Sequence, residues 1–297
     1  MTRIINVISE KGGVSKTTST LHVAAKLAEK GMKVAVIDFD TTQANATTQL
    51  IGPIWSTDNY RQGICSVITE AVDIDNVICE TGRDNLFLVP SEKLSKNGQP
   101  FNIEGTLKDM GLEGYMFLKE IIDGSKKLQD MNFIFIDNGP TLGITTVATL
   151  IASDYYVIPV RTESFSLDSI APTIETANKV SKTNKYLKPL GIYVALEDKR
   201  NKKNLSRAIE ELEAIAQQFD IHLFENRIPV NANFAYLPRD KNLIYDLKRG
   251  NRGGAEYELL ANELLERIMF IETNEVENIE VPHHIQKSEN KSMEARS

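Results

Sequence analysis

The chain has 297 residues and a formal net charge of −7, with 41% hydrophobic and 25% charged residues. This composition is typical of a soluble protein with a large core. The negative charge argues against a protein coated in positive charge, though not against a local basic patch. The two cysteines, Cys65 and Cys79, have no metal-ligand spacing and indicate a reducing compartment. No run approaches the ~20 apolar residues that span a bilayer, so we expect a cytoplasmic protein.

Short apolar, β-rich runs alternate with helical patterns along the chain. The predicted strands are residues 4–8, 33–37, 86–89, 133–136, 155–160 and 190–196. The predicted helices are residues 16–30, 118–129, 142–152, 166–184 and 205–219. This alternation gives βαβ units, and hence an α/β fold with a mostly parallel twisted sheet flanked by helices on both faces.

The same patterns predict one domain over residues 1–272. Residues 91–114 carry several Gly, Asn, Ser and Lys residues, and we expect an irregular excursion there. Residues 280–297 are polar and nearly free of large apolar side chains, which is typical of a disordered tail.

A glycine-bearing loop between the first strand and the first helix has the features of a phosphate-binding loop. Small residues let backbone N–H groups surround a β-phosphate, and the helix N-terminus adds positive potential. Lys16 would bridge the β- and γ-phosphates, and the Thr17 hydroxyl would reach Mg²⁺. The alternative is a Gly-Gly turn that happens to precede a helix. The loop residues are Lys11, Gly12, Gly13, Val14, Ser15, Lys16, Thr17 and Thr18.

Two other predicted strands end in acidic residues. Asp38 and Asp40 follow the second strand, and Asp137 follows four apolar residues of another. The carboxyl ends of parallel strands meet at one edge of the sheet, where ligands bind in α/β folds. Asp137 would hold Mg²⁺ through water, with Thr17 and Asp38 as further candidates for the metal shell. The alternative for Asp38 and Asp40 is a solvated acidic turn.

These motifs resemble the ParA/MinD group of deviant-Walker P-loop ATPases, in the short ParA/Soj form, whose loop reads Lys-Gly-Gly-x-Gly-Lys-Thr-Thr/Ser. The match covers roughly residues 1–270. The resemblance implies ATP and Mg²⁺ as ligands and a homodimer that encloses two ATP molecules. It also implies that Lys11 crosses to the partner's nucleotide, comparable to an arginine finger. Asp40 would orient the attacking water, so the implied catalytic residues are Lys11, Lys16 and Asp40.

Three positions depart from the family pattern. Ser15 replaces a glycine, Thr42 replaces the proline of Asp-x-Asp-Pro-Gln-x-Asn, and Gly139 replaces the first proline of Asp-x-Pro-Pro. A loop around phosphate often needs backbone angles that only glycine adopts easily, and a strained residue costs ~1–3 kcal/mol. We therefore expect Ser15 to affect the hydrolysis rate more than nucleotide binding. Gly139 would loosen its loop without removing the metal site.

The closing segment, residues 225–265, resembles the family as well. The family's proline-containing loop borders the adenine, which implies base contacts from Pro229 and Asn231. For Tyr257, Leu260 and Leu264, packing in the core is an equally good interpretation.

Basic residues form two clusters in this acidic chain. Lysine and arginine side chains neutralise phosphates, and the resemblance implies DNA binding without sequence preference. The alternative is a pair of solvated loops, and one arginine that some relatives carry aligns with Asn233. The cluster residues are Arg200, Lys202, Lys203 and Arg207, then Arg239, Lys241, Lys248, Arg249 and Arg252.

The leading hypothesis is a nucleoid-associated ATPase for plasmid or chromosome segregation, stimulated by a ParB-like adaptor. The phosphate loop begins too near the N-terminus for a preceding helix-turn-helix, and the tail has no apolar face for a membrane. One alternative is a positioning ATPase for a protein cargo or microcompartment. Another is a carboxylate–amine ligase on the same scaffold, in which Lys11 would have no role.

Overall fold

The computed structural model describes residues 1–54, 59–162, 167–197, 202–235, 237, 242–246 and 252–280. Within these, the backbone alone is described at 167–169, 202–204, 235, 252 and 276–280. The chain divides into two compact units, Met1–Ala261 and Asn262–Ser297. The first unit holds the whole sheet. The predicted boundary at residue 272 stays a prediction, and residues 281–297 lie outside the described residues.

A seven-stranded sheet runs through the described part of the first unit. Its strands are β1 (Arg3–Val7), β2 (Val34–Phe39), β3 (Cys79–Glu80), β4 (Leu86–Val89), β5 (Phe133–Asn138), β6 (Tyr155–Val160) and β7 (Lys188–Val194). The order is β3-β4-β2-β5-β1-β6-β7, and every pair is parallel except β3 with β4. The predicted α/β class with a mostly parallel sheet is confirmed. The short edge strand β3 has no apolar run and was not predicted.

Eleven helices accompany the sheet in the described residues. They are α1 (Lys16–Glu29), α2 (Asn45–Leu50), α3 (Ile64–Glu70), α4 (Ile74–Val77), α5 (Ile103–Asp109), α6 (Leu112–Gly124), α7 (Lys126–Gln129), α8 (Ile144–Ile151), α9 (Leu167–Val180), α10 (Lys202–Gln218) and α11 (Arg252–Glu280). No helix in this part of the chain is long and apolar enough to cross a membrane.

Helices pack on both faces of the sheet because the central strands carry apolar side chains on both sides. Alternate residues of a strand share a face, so Ala35, Ile37 and Phe39 of β2 lie together. They belong to a buried cluster with Ile64 of α3 and Leu107 of α5. Helix α1 contacts both β2 and β5. Hydrophobic strands covered in this way are typical of parallel sheets.

The prediction of one helix over residues 118–129 was wrong. The chain forms α6 and α7 instead, with Ser125 between them in an extended conformation. The Ser125 hydroxyl accepts a hydrogen bond from the Leu128 N–H at 3.0 Å, which caps the start of α7. The apolar periodicity continues across the break, and it therefore conceals the cap.

The expectation of an irregular excursion over residues 91–114 was also wrong in its second half. Helix α5 begins there, and α6 follows it directly. The Asn102 side chain accepts a hydrogen bond from the Gly105 N–H at 3.0 Å and caps α5. Ile103 and Leu107, four residues apart, bury one face of the helix. The polar composition of the segment conceals this short amphipathic turn.

Candidate functional site

The phosphate-loop sequence leaves the end of β1 and enters α1, as predicted. Two of its residues adopt left-handed backbone angles, Gly13 with φ 72° and Ser15 with φ 66° and ψ 28°. Glycine adopts this region without cost, whereas a residue with a Cβ is strained there. The Ser15 side chain makes no capping hydrogen bond at the start of α1. The position is therefore one that favours glycine, and the serine gains nothing as a cap.

Replacing Ser15 with glycine should raise the free energy of unfolding by about 1 kcal/mol, because the left-handed strain is removed. Relaxing the loop should also change the rate of the ATP hydrolysis that the sequence predicts severalfold, while ATP affinity stays near that of the wild type. Chemical denaturation and steady-state kinetics measure the two effects. Ser15→Ala is the matched control, because it removes the hydroxyl and keeps the strained Cβ. An equal gain in stability in both variants would show that backbone strain is not the cause.

Lys16 is buried at the centre of the loop, with 7% of its surface exposed. Its ammonium group donates hydrogen bonds to the carbonyl of Ser9 at 3.0 Å and to that of Lys11 at 3.1 Å. Burial lowers the pKa of Lys16, and the carboxylates of Asp137 and Asp40 oppose that shift. The loop thus holds a buried cation close to two acidic groups.

Asp38 and Asp137 face each other across neighbouring strands, as paired residues of β2 and β5, and both are fully buried. The Thr47 N–H and hydroxyl donate to Asp38 Oδ2 at 2.8 and 2.7 Å. Asp38 Oδ1 and both carboxylate oxygens of Asp137 have no hydrogen-bond partner among the described residues. Burial is the main cause that raises the pKa of both carboxyl groups. Three buried oxygen atoms therefore have no hydrogen-bond donor among the described residues.

These unpartnered oxygens fit a magnesium site. The Thr17 hydroxyl is close enough to Asp137 to lower the pKa of that carboxyl, so a hydroxyl and a carboxylate converge there. Among the described residues, no group of three or more His, Cys, Asp or Glu side chains could hold a metal ion alone. Mg²⁺ is usually held by one or two carboxylates together with substrate phosphates and waters. Thr17, Asp38 and Asp137 remain the predicted metal residues.

Asp40 lines an open cavity of about 340 Å³ together with the loop. Its Oδ1 atom accepts hydrogen bonds from the Thr42 hydroxyl at 2.8 Å and from the Gln43 N–H at 3.1 Å. The volume is within the usual range of ligand pockets. The lining residues are Gly12, Gly13, Ser15, Lys16, Thr17, Thr18, Asp40, Gln43, Asn45, Thr48, Gln49, Asn138 and Pro140.

Helix α2 supplies one wall of this cavity, which was not predicted from the sequence. Asn45, Thr48 and Gln49 lie three and four residues apart and therefore share one helical face. Gln49 also donates to the Asn242 carbonyl at 3.0 Å, which connects this wall to a distant segment. The available signal was the polar face of α2, which follows the acidic end of β2 in the sequence.

The structure does not bring the predicted adenine contacts to this cavity, since neither Pro229 nor Asn231 lines it. The Val230 N–H donates to the Glu197 carbonyl at 3.0 Å, and Asn231 Oδ1 accepts from the Asn233 N–H at 3.0 Å. The adenine role stays a prediction. So does the role of Lys11, which begins the loop.

Most residues of the two basic clusters lie outside the described residues. Arg207 of α10 is exposed, and its Nε donates to Glu211 one turn later at 3.0 Å, a surface pair that contributes little stability. Lys202 and Arg252 are the first residues of α10 and α11, and Lys203 follows Lys202. The DNA interface therefore stays a prediction. The residues that lie outside the described ranges are Arg200, Arg239, Lys241, Lys248 and Arg249.

A loop between β1 and α1 with a buried lysine, facing carboxylates at the ends of β2 and β5, defines a P-loop nucleotide-binding protein. The comparisons with known proteins agree. A family model described as an AAA domain matches residues 2–189. The chain is 30% identical over 267 residues to the sporulation initiation inhibitor protein Soj of Bacillus subtilis, covering 89% of this chain and 98% of Soj.

A second relative is the chromosome-partitioning ATPase Soj of Treponema pallidum, 28% identical over 272 residues, with 90% of this chain and 98% of that protein covered. The fold is also similar to cobyrinic acid a,c-diamide synthase of Mycobacterium smegmatis with bound ADP and magnesium. That structure matches with a TM-score of 0.72 and 24% identity, over 91% of this chain and 96% of the other. The chain belongs to the ParA/MinD-type P-loop ATPase family, which confirms the predicted resemblance.

Proposed function

We propose that this chain is an ATPase that forms an ATP-dependent homodimer and binds DNA nonspecifically for segregation. The observation that carries the proposal is the buried Lys16 ammonium, held in the phosphate loop beside the unpartnered carboxylate of Asp137. A buried cation and a carboxylate without a partner suit a triphosphate with its metal ion. The segregation role is supported by the name of the Treponema pallidum relative, a chromosome-partitioning ATPase.

Each residue of the loop edge has a defined task in this proposal. Lys16 would exchange the carbonyls of Ser9 and Lys11 for the phosphate oxygens. Mg²⁺, when bound, would neutralise charge on the phosphates, and Thr17 and Asp137 would hold it. Asp40 lines the cavity and would orient the attacking water.

Lys11 gives the proposal its dimeric form. A lysine at the start of the loop would place its ammonium on the nucleotide of a second copy of the chain, where charge develops during phosphoryl transfer. The net charge of −7 repels DNA from a single chain. Two chains would bring their basic clusters together, so DNA binding should require ATP. A ParB-like adaptor would then stimulate hydrolysis, and the protein would associate with the nucleoid.

The test is fluorescence anisotropy on a random DNA duplex with ATP, ADP or no nucleotide, across a salt series. We expect DNA binding only in the presence of ATP. The logarithm of the binding constant should fall with the logarithm of the salt concentration, with a slope of about −0.9 per phosphate neutralised. Two double variants should weaken DNA binding to every sequence alike. One replaces Lys202 and Lys203 with glutamate, and the other replaces Lys248 and Arg249 with glutamate. Sedimentation should show that these variants still dimerise with ATP.

Lys11→Ala is the matched control, because it should weaken the dimer and DNA binding together. Equal binding in the three nucleotide states, or none in any, would refute DNA-dependent segregation. The ATPase proposal would stand after that result. An ATP-dependent dimer without DNA affinity would instead favour the positioning of a protein cargo.

A further inference from the structure

The carboxylate of Asp40 is restrained on one oxygen by the turn that follows it. The Thr42 hydroxyl donates to Asp40 Oδ1 at 2.8 Å, and the Gln43 N–H donates to the same atom at 3.1 Å. The Asp40 carbonyl accepts from the Ala44 N–H at 2.7 Å, which closes the turn. Asp40 is 6% exposed, whereas Thr42 is exposed.

A second strand end reaches the same oxygen. Gly139 follows β5, and a Cβ atom added to it would lie 3.4 Å from Asp40 Oδ1 and 3.6 Å from Cγ. The hydrogen-bonding turn and Gly139 thus both adjoin Oδ1. Asp40 Oδ2 receives no hydrogen bond from the described residues, and Asp40 lines the cavity. One oxygen is therefore fixed and the other is available to a ligand or water.

We propose that Thr42 is a positioning residue for Asp40. The inference rests on the proposed role of Asp40 in orienting water. A hydroxyl-to-carboxylate hydrogen bond is stronger than a neutral one, and it limits rotation of the carboxylate about its Cβ–Cγ bond. Catalytic groups held in the reactive orientation need no reorganisation during the reaction. A proline at position 42 would supply no such donor.

The test compares two variants that separate the hydroxyl of Thr42 from its shape. Thr42→Val keeps the branched shape and removes the donor, whereas Thr42→Ser keeps the donor. We expect Thr42→Val to lower kcat for ATP hydrolysis about three- to tenfold, the loss of one hydrogen bond, while KM and ATP affinity stay unchanged. Thr42→Ser should keep most of the wild-type kcat. Because Thr42 is exposed, both variants should fold, which thermal melting checks.

Asp40→Ala distinguishes a failure of this inference from a failure of the proposed function. If Asp40→Ala hydrolyses ATP at the wild-type rate, the proposed role of Asp40 is wrong. If Asp40→Ala is inactive and Thr42→Val has the wild-type kcat, only the positioning role is wrong. Equal losses in Thr42→Val and Thr42→Ser would also overturn it, since the hydroxyl would then not be the cause.

Discussion

Replacing Lys16 with alanine should weaken ATP binding by about 100-fold or more, as expected when one partner of a buried charge pair is truncated. The wild-type ammonium is buried between two carbonyls of its own loop, so it is already placed for an anion. Without it, the phosphates would meet the carboxylates of Asp137 and Asp40 with no side-chain cation between them. Both carboxylates raise the pKa of Lys16 and so oppose the effect of burial.

Titration calorimetry with ATP and Mg²⁺ measures this effect. Lys30→Ala is the matched control, because it removes the same charge from an exposed residue just after the end of α1. Melting curves of both variants would show that the fold is retained. Unchanged affinity in Lys16→Ala would remove the assignment of the phosphate loop.

The loop and the acidic strand ends could be predicted because their signals are local. The strands β2 and β5, which carry these acids, are short apolar runs. Parallel strands bring their carboxyl ends to one edge whatever their order. The structure pairs Asp38 directly with Asp137, although the two residues lie 99 positions apart in the chain. The left-handed angle at Ser15 also followed from the place of a glycine in the family pattern.

What the sequence could not show depends on contacts between distant segments. Asp38 and Thr47 are both polar, but the sequence does not indicate that they form hydrogen bonds. Thr47 donates to Oδ2 of Asp38 and leaves Oδ1 without a hydrogen bond from the described residues. Tyr257 was equally compatible with core packing, and the structure buries it, with its hydroxyl 3.1 Å from that of Ser19. The Tyr257–Ser19 pair forms only when the residues around Tyr257 pack against α1.

His22 is the residue of α1 that the sequence analysis overlooked. It is fully buried, and its ring stacks on Tyr257 with centroids 4.8 Å apart. Its Nδ1 lies 2.6 Å from the Thr18 carbonyl, and its Nε2 accepts a hydrogen bond from the Ile244 N–H at 2.9 Å. A carbonyl requires a donor and an N–H requires an acceptor, so the imidazole is neutral with its proton on Nδ1.

Burial is the main cause that lowers the pKa of His22 to about 4, and the charge of Arg83 acts in the same direction. The Thr18 carbonyl and Asp246 oppose the shift. In the unfolded chain the pKa is about 6.5. Above that value both states are neutral and the stability is complete. As the pH falls below it, the unfolded chain binds a proton that the folded chain rejects, so folding is destabilised until the pH reaches the folded pKa.

His22 alone should therefore cost the fold about 2 kcal/mol between pH 7.5 and pH 5, and about 3 kcal/mol by pH 4. Urea denaturation across this range measures the slope in the wild type and in His22→Gln, whose amide cannot be protonated. We expect the variant to be less stable at pH 7.5 but to lose less stability on acidification, while His222→Gln controls for replacing a histidine elsewhere. Titration of carboxylates is common to all three proteins and cancels in the comparison. Parallel slopes in the wild type and His22→Gln would show that another group carries the acid sensitivity, and that His22 is not the neutral link between α1 and Ile244.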